Sequence, residues 1–296
     1  MPEAAEVTVA ARQLHAVGVG RRLAALPVTH ARTMRNVSRR ALEDFVGATV
    51  VRVEPVGKWI LVAFDGVERR LGLHLRMSGQ LLAMPPEAGH PDRHVHAELV
   101  FGERPTPMVA VDGVPAPPPG AAGSTAAPVS VWFRDPRTFG EVRSLVDAPG
   151  APDVRSPEVT AVWLHRRAER RRASVKAVLL DQSAFVAGIG SYLADEILHD
   201  AGIDPRAPAR ELAVSAWSRI LSSSLGHIEA SARVGGVTLA DEGWIDLWGR
   251  PGGYGEGVRV HARARCGTCD SPTRSAILAG RSARWCPACQ HPRRRR

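Results

Sequence analysis

The chain has 296 residues, with 39 Lys plus Arg against 30 Asp plus Glu and a formal net charge of +9. That length allows one large or two modest domains, and the basic balance favours a polyanionic partner, nucleic acid before a membrane surface. The start MPEAAEVTVAARQ lacks the basic and apolar regions of a secretory signal. The uncharged stretch Gly113 to Phe133 is broken by five prolines, so neither reads as a membrane segment, and a monomeric cytoplasmic protein, nucleoid-associated through its charge, is expected.

Residues 3–15 (EAAEVTVAARQLH) predict an amphipathic first helix, which places Pro2 at or just before its N-terminus, where phosphate is attracted. If Met1 is removed, Pro2 carries a free secondary amine beside the Glu3 carboxylate. Short runs rich in Val, Leu and Ile follow, punctuated by Gly, Pro and Asp. They are RLAALPVTH, ATVVRVEPVG, KWILVAFDG, RRLGLHLRMSGQLLAM and HVHAELVFG, and they suggest a β-sandwich or barrel. Residues 38–46 predict a short helix with Ser38 as N-cap. The stretch 103–128 is rich in Pro, Ala and Gly and reads as a flexible surface insertion before a further strand, PVSVWFRDP. Near residue 150 a Pro-rich linker leads into helical sequence. The expected division is a β-domain over 1–150, a helical domain over 151–257, and a Cys-containing segment with a basic tail over 258–296.

The most specific local signal is Cys266-Gly-Thr-Cys269, sixteen residues, then Cys286-Pro-Ala-Cys289. Two CxxC knuckles supply four thiolates, the set of a closed, structural zinc site; redox use of one pair is the competing reading. A hairpin between them presents Arg281 near its tip. Gly188-Ile-Gly190-Ser191 leads into a helix and suits either a phosphate-binding helix start or simple helix packing. Lys58, one of two lysines in the chain, sits in a turn before a strand and reads as a phosphate contact or as a solvated side chain. His74, between leucines, is a phosphate ligand or a satisfied half-buried histidine. Met77, on a loop before Ser-Gly, suits an apolar wedge into a base stack. Arg137 and Phe139 share a face and suit the space of an extruded base, or else form a turn with a buried Phe.

Taken in order, the PE start, GKW, HLRMSG, DPRTFG, LLDQ…AGIGSYLADEIL…AGIDP and the four-Cys segment ending CPACQ resemble the Fpg/Nei family of DNA glycosylases over nearly the whole chain. The resemblance implies an α+β fold: an N-terminal helix with a β-sandwich, a helix-two-turn-helix domain and a zinc-finger hairpin. It implies excision of oxidised bases from damaged double-stranded DNA, with glycosylase and lyase steps and no cofactor beyond one structural zinc. Pro2 would attack C1′ and Glu3 would act as general acid and base. Lys58, His74 and Arg281 would grip phosphates, with Gly190 and Ser191 at a helix start. Met77, Arg137 and Phe139 would fill the void, and Cys266, Cys269, Cys286 and Cys289 would hold zinc. Ser191 stands where the family usually has Asn, and the start PEAAE and the segment 235–260 also depart from its pattern. Void-filling residues on separate loops resemble the purine-lesion branch. An endonuclease VIII-like enzyme, a non-catalytic damage-binding protein and a basic RNA-binding zinc ribbon are the competing readings.

Overall fold

The computed structural model describes residues 2–34, 37–85, 88, 92–105, 111–239 and 243–290. Packing divides the chain into two compact units, Met1–Ala148 with Ser231–Gly255, and Pro149–Ala230 with Glu256–Arg296.

In the first unit, α1 (Ala4–Gly18) is almost entirely buried rather than amphipathic, because its Ala, Val and Gly side chains let neighbours approach on every side. Its polar residues are satisfied internally. Thr8 Oγ1 donates to Ala4 O (2.6 Å), and Gln13 bridges Asp246 Oδ2 (3.1 Å) and Leu247 N (2.9 Å). Two four-stranded antiparallel sheets follow. One holds β2 (Val50–Val56), β3 (Trp59–Phe64), β4 (Val67–His74) and β8 (Glu141–Leu145), in that order. The other has the order β1 (Leu23–Ala25), β6 (Val95–Phe101), β7 (Val129–Arg134), β5 (Gln80–Met84). Inward residues of both sheets, α1 and Trp244 and Leu247 form a single apolar core, which makes the pair a sandwich. Burying each Phe or Leu there stabilises by roughly 1.5–3 kcal/mol. The expected short helix contracts to α2 (Arg40–Glu43), although Ser38 Oγ still accepts from Ala41 N at 3.3 Å.

Residues 231–255 pack with this unit, not with the helices that precede them, because Ala232, Trp244 and Leu247 lie in its core. The described part of the 103–128 stretch is held down by arginines. Buried Arg21 donates to the carbonyls of Thr125, Ala126, Ala127 and Gly102, and buried Arg104 donates to those of Ala16 and Val17. Val114 and Ala122 pack against the core. Low apolar content is offset here by main-chain hydrogen bonds to buried guanidinium groups.

The second unit contains α3 (Ala161–Ala168), α4 (Val175–Leu179), α5 (Ser191–Asp200) and most of α6 (Val214–Arg233). Thr160 and Ser174 cap α3 and α4 through hydrogen bonds from Trp163 N and Ala177 N. The hairpin of β9 (Arg274–Leu278) and β10 (Arg281–Trp285) lies between the two CxxC knuckles. Among the described residues no helix is long and apolar enough to cross a membrane.

Candidate active site

In the first unit, Glu3 is the N-cap of α1 in a reciprocal capping box with Glu6, and Glu3 N donates to Glu6 Oε2 at 2.9 Å. Pro2 and Glu3 are both buried. Glu6 Oε1 also accepts from Val237 N at 3.0 Å. Burial pushes the Glu6 carboxyl up to about 7, against the opposing pull of those backbone N–H groups. A carboxyl that changes protonation near neutrality thus sits in the first turn of the helix that follows Pro2. Met1 lies outside the described residues.

Sheet register brings the next two candidates together. Trp59 pairs with His74, so Lys58, in the turn before Trp59, lies at the His74 end of β4. The His74 ring meets the Trp59 ring edge-on at 4.8 Å, and its Nδ1 accepts from Arg76 N at 3.1 Å. Burial, then the charges of Arg76, Lys58 and Arg143, hold the His74 imidazole well below its usual range. It is therefore neutral at pH 7 with its proton on Nε2, a donor suited to a phosphate oxygen.

The two loops with the proposed void-filling residues are joined by Asp135. Its Oδ1 accepts from Ser78 Oγ (2.5 Å) and Arg137 N (3.2 Å), and its Oδ2 from Gly140 N (2.6 Å). Met77 and Phe139 are exposed (37% and 38%), unlike the apolar residues around them. The Arg137 guanidinium lies 5.4 Å from the Phe139 ring centre. Each loop places a non-glycine residue with positive φ just before its apolar tip, Arg76 (55°) before Met77 and Thr138 (56°) before Phe139. Such backbone costs energy and persists where surroundings enforce it. For Arg76 the enforcing partner is buried Glu141, which accepts from Arg76 Nε at 2.9 Å.

In the second unit, Gly190 is the N-cap of α5 and Ser191 its first residue. Ser191 Oγ donates to Ser282 O (3.2 Å) in the hairpin that carries Arg281. Fully buried Lys176 gathers Asp195 Oδ1 (2.6 Å), Ser282 O (2.6 Å) and Ser191 Oγ (3.3 Å). Glu196 accepts from the main-chain N–H groups of Arg259, Val260 and His261 at 2.6, 3.0 and 2.7 Å. Asp195 Oδ1 also accepts from Arg284 N at 3.0 Å, so the neighbouring Asp195 and Glu196 anchor both arms of the Cys segment to α5. The sulfurs of Cys266, Cys269, Cys286 and Cys289 lie within 4.8 Å of one another. A tetrahedral ion with metal–sulfur bonds of about 2.3 Å needs sulfurs about 3.8 Å apart. The spacings of Cys266–Cys289 (4.0 Å) and Cys269–Cys286 (3.5 Å) fit it, so the cluster can hold a metal.

Residues 1–142 match the family model of the formamidopyrimidine-DNA glycosylase N-terminal domain, and residues 151–242 that of the formamidopyrimidine-DNA glycosylase H2TH domain. A formamidopyrimidine-DNA glycosylase of Halorhodospira halophila is 32% identical over 98% of this chain and 100% of its own length. This chain belongs to the formamidopyrimidine-DNA glycosylase family. The enzyme class that comes with the family is a DNA glycosylase of base-excision repair. The family protein of Corynebacterium jeikeium is 31% identical over 98% and 100% of the two chains. The crystal structure of the MutM (Fpg) protein from Thermus thermophilus superposes with a TM-score of 0.77 at 26% identity, covering 98% of both chains. A Lactococcus lactis Fpg complexed with abasic-site DNA shares the fold, with a TM-score of 0.79 at 21% identity over 98% and 100% of the chains.

Four further side chains hold the candidate residues in place and carry little local signal in the sequence. They are Glu6, Asp135, Asp195 and Lys176. Lys176 carried a signal in a chain with only two lysines. Asp135 lay inside the DPRTFG motif, but its link to Ser78 crosses fifty-seven positions and leaves no local trace.

Proposed function

We propose that this chain, after removal of Met1, excises oxidised purines such as 8-oxoguanine and formamidopyrimidines from duplex DNA and then cleaves the strand. The observation that carries the reading is the N-terminal arrangement. Pro2 and Glu3 stand at the head of a buried helix, fixed by the Glu3–Glu6 box. The freed Pro2 amine attacks C1′ and the base departs, with Glu3 protonating the sugar ring oxygen. An α-amine pKa of about 8 leaves a useful unprotonated fraction at neutral pH. The resulting iminium withdraws electrons, so the C2′ proton is lost and the 3′ and then the 5′ phosphate leave by β- and δ-elimination.

Lys58, His74 and Arg281 contact phosphates around the lesion, as does the start of α5 at Gly190 and Ser191, whose dipole favours an anion. Because Ser191 Oγ already donates to Ser282 O, that contact falls to main-chain groups more than to the hydroxyl. Met77, Arg137 and Phe139 occupy the space of the flipped nucleotide, and their placement on two loops supports the purine-lesion branch over an endonuclease VIII-like one. One zinc ion held by the four cysteines is structural, since four thiolates leave no open position. The protein acts as a cytoplasmic, nucleoid-associated monomer.

Product analysis on duplexes carrying 8-oxoguanine, a formamidopyrimidine or an oxidised pyrimidine tests this reading. Faster release of the purine lesions, leaving a one-nucleotide gap with phosphate at both ends, is the expected result. Tight abasic-site binding without scission would instead favour a damage-binding protein.

A further inference from the structure

We propose that α3 and the two segments beside it form a second DNA-backbone contact, gripping duplex phosphates outside the lesion-bearing stretch. The sequence HRRAERRR supplies Arg166, Arg167, Arg170, Arg171 and Arg172 within seven positions. Folding adds a sixth arginine from a distant segment. Ala209 N donates to Ala173 O at 3.0 Å and Arg210 N to Arg171 O at 3.2 Å, so Arg210 is laid beside the run. His165 Nδ1 meets Leu212 O at 3.1 Å and closes the same junction.

These arginines divide into two kinds. Arg171 is bound to Asp181 (2.7 Å) and to Ala184 O (2.9 Å), and Arg167 donates to Ala184 O (2.7 Å) while lying 4.6 Å from the Trp163 ring centre. They shape the surface. Arg166, Arg170, Arg172 and Arg210 are exposed and have no acidic partner among the described residues. Elsewhere in the same unit Arg155, Arg206 and Arg265 each carry an aspartate at 2.5–2.7 Å. Glu169, the one carboxylate inside the run, faces His165 at 3.6 Å. Four exposed, unneutralised arginines repel one another, and a polyanion relieves that repulsion while releasing its own counterions. Clustered guanidinium groups suit phosphate oxygens through paired N–H donors and read no sequence. DNA is the polyanion the family acts on. The inference rests on DNA as substrate and not on the Pro2 chemistry, and its test reads binding alone.

The experiment compares wild type with Arg166→Gln/Arg170→Gln/Arg172→Gln on two duplexes carrying a stable abasic-site analogue, one of about 12 base pairs and one of about 40, across a KCl series. Each phosphate contact adds about 0.9 to the slope of log K against log salt. On the long duplex the variant should lose ~2–3 of that slope and bind on the order of tenfold more weakly near 0.1 M salt. On the short duplex both proteins should match. Arg166→Lys/Arg170→Lys/Arg172→Lys should keep the long-duplex slope, which a packing role would not require. Equal slopes for wild type and the Gln variant on both lengths would overturn the proposal. So would an equal loss on the short duplex, which would put the patch at the lesion.

Discussion

Ser78 Oγ donates to Asp135 Oδ1 at 2.5 Å, and this bond ties the loop bearing Met77 to the loop bearing Arg137 and Phe139. The same carboxylate receives the N–H groups of Arg137 and Gly140. Its backbone carbonyl meets His96 Nε2 at 2.9 Å. Two apolar tips from distant segments are thus set by one buried acid, so their spacing does not depend on DNA being present.

Asp135→Asn is expected to keep the fold and lower excision of a paired lesion on the order of tenfold or more, since a misplaced wedge costs at the flipping step. A hydrogen bond to a charged acceptor is worth about 1.5–3 kcal/mol. A double-mutant cycle of Ser78→Ala with Asp135→Ala should therefore show coupling of roughly 1–2 kcal/mol in urea unfolding. Strict additivity would mean that the two loops are set independently.

Glu6 gives the N-terminus a pH signature. Burial raises its carboxyl from 4.5 to about 7 in the folded chain. A raised acid pKa means that the folded state holds the proton more tightly. The stability this contributes is complete below pH 4.5 and is lost as pH rises through 7. The span is about 3 kcal/mol at 1.36 kcal/mol per pKa unit. Unfolding of wild type and Glu6→Gln at pH 5, 6, 7 and 8 should show wild type losing stability relative to the variant as pH rises. Parallel curves would contradict the assignment.

The Cys segment gives a third expectation. His199 Nε2 lies 3.3 Å from Cys266 Sγ, placed to donate to a metal-bound thiolate. Partners of this kind alter metal affinity about 10–100-fold. His199→Ala should release zinc to a chromogenic chelator several-fold faster, and Cys286→Ser should release it outright. The first unit has no cysteine in its core, so its near-UV signal and urea transition should survive both changes. Loss of that transition would show that the segment does not fold separately.

Much of this was legible from residue type and spacing. The two CxxC pairs, Lys58 before its strand, and Met77, Arg137 and Phe139 on turns all declare themselves locally, because the turn chemistry and ligand spacing lie within a few positions. What escaped depends on contacts between distant positions. Composition alone gave 103–128 too little apolar surface to order itself, yet in its described part Arg21, just past α1, holds the main chain near Thr125, and Arg104, at the edge of the stretch, anchors it to the end of α1. Residues 231–255 looked continuous with the helices because their turn-rich sequence says nothing of Trp244 entering the other core. The near-total burial of α1 likewise came from what packs around it, since small apolar residues are compatible with one covered face or with all of them.

If Pro2 is the nucleophile, borohydride captures it as a covalent adduct with abasic-site DNA. Protein lacking Met1 is incubated with abasic-site duplex and reductant, and the adducted peptide is sequenced by mass. The expected result is one covalent adduct on the N-terminal peptide at Pro2, absent when Met1 is retained and strongly diminished in Pro2→Gly. An adduct at another residue, or an undiminished adduct in Pro2→Gly or in protein with Met1 in place, would rule out Pro2 as the nucleophile.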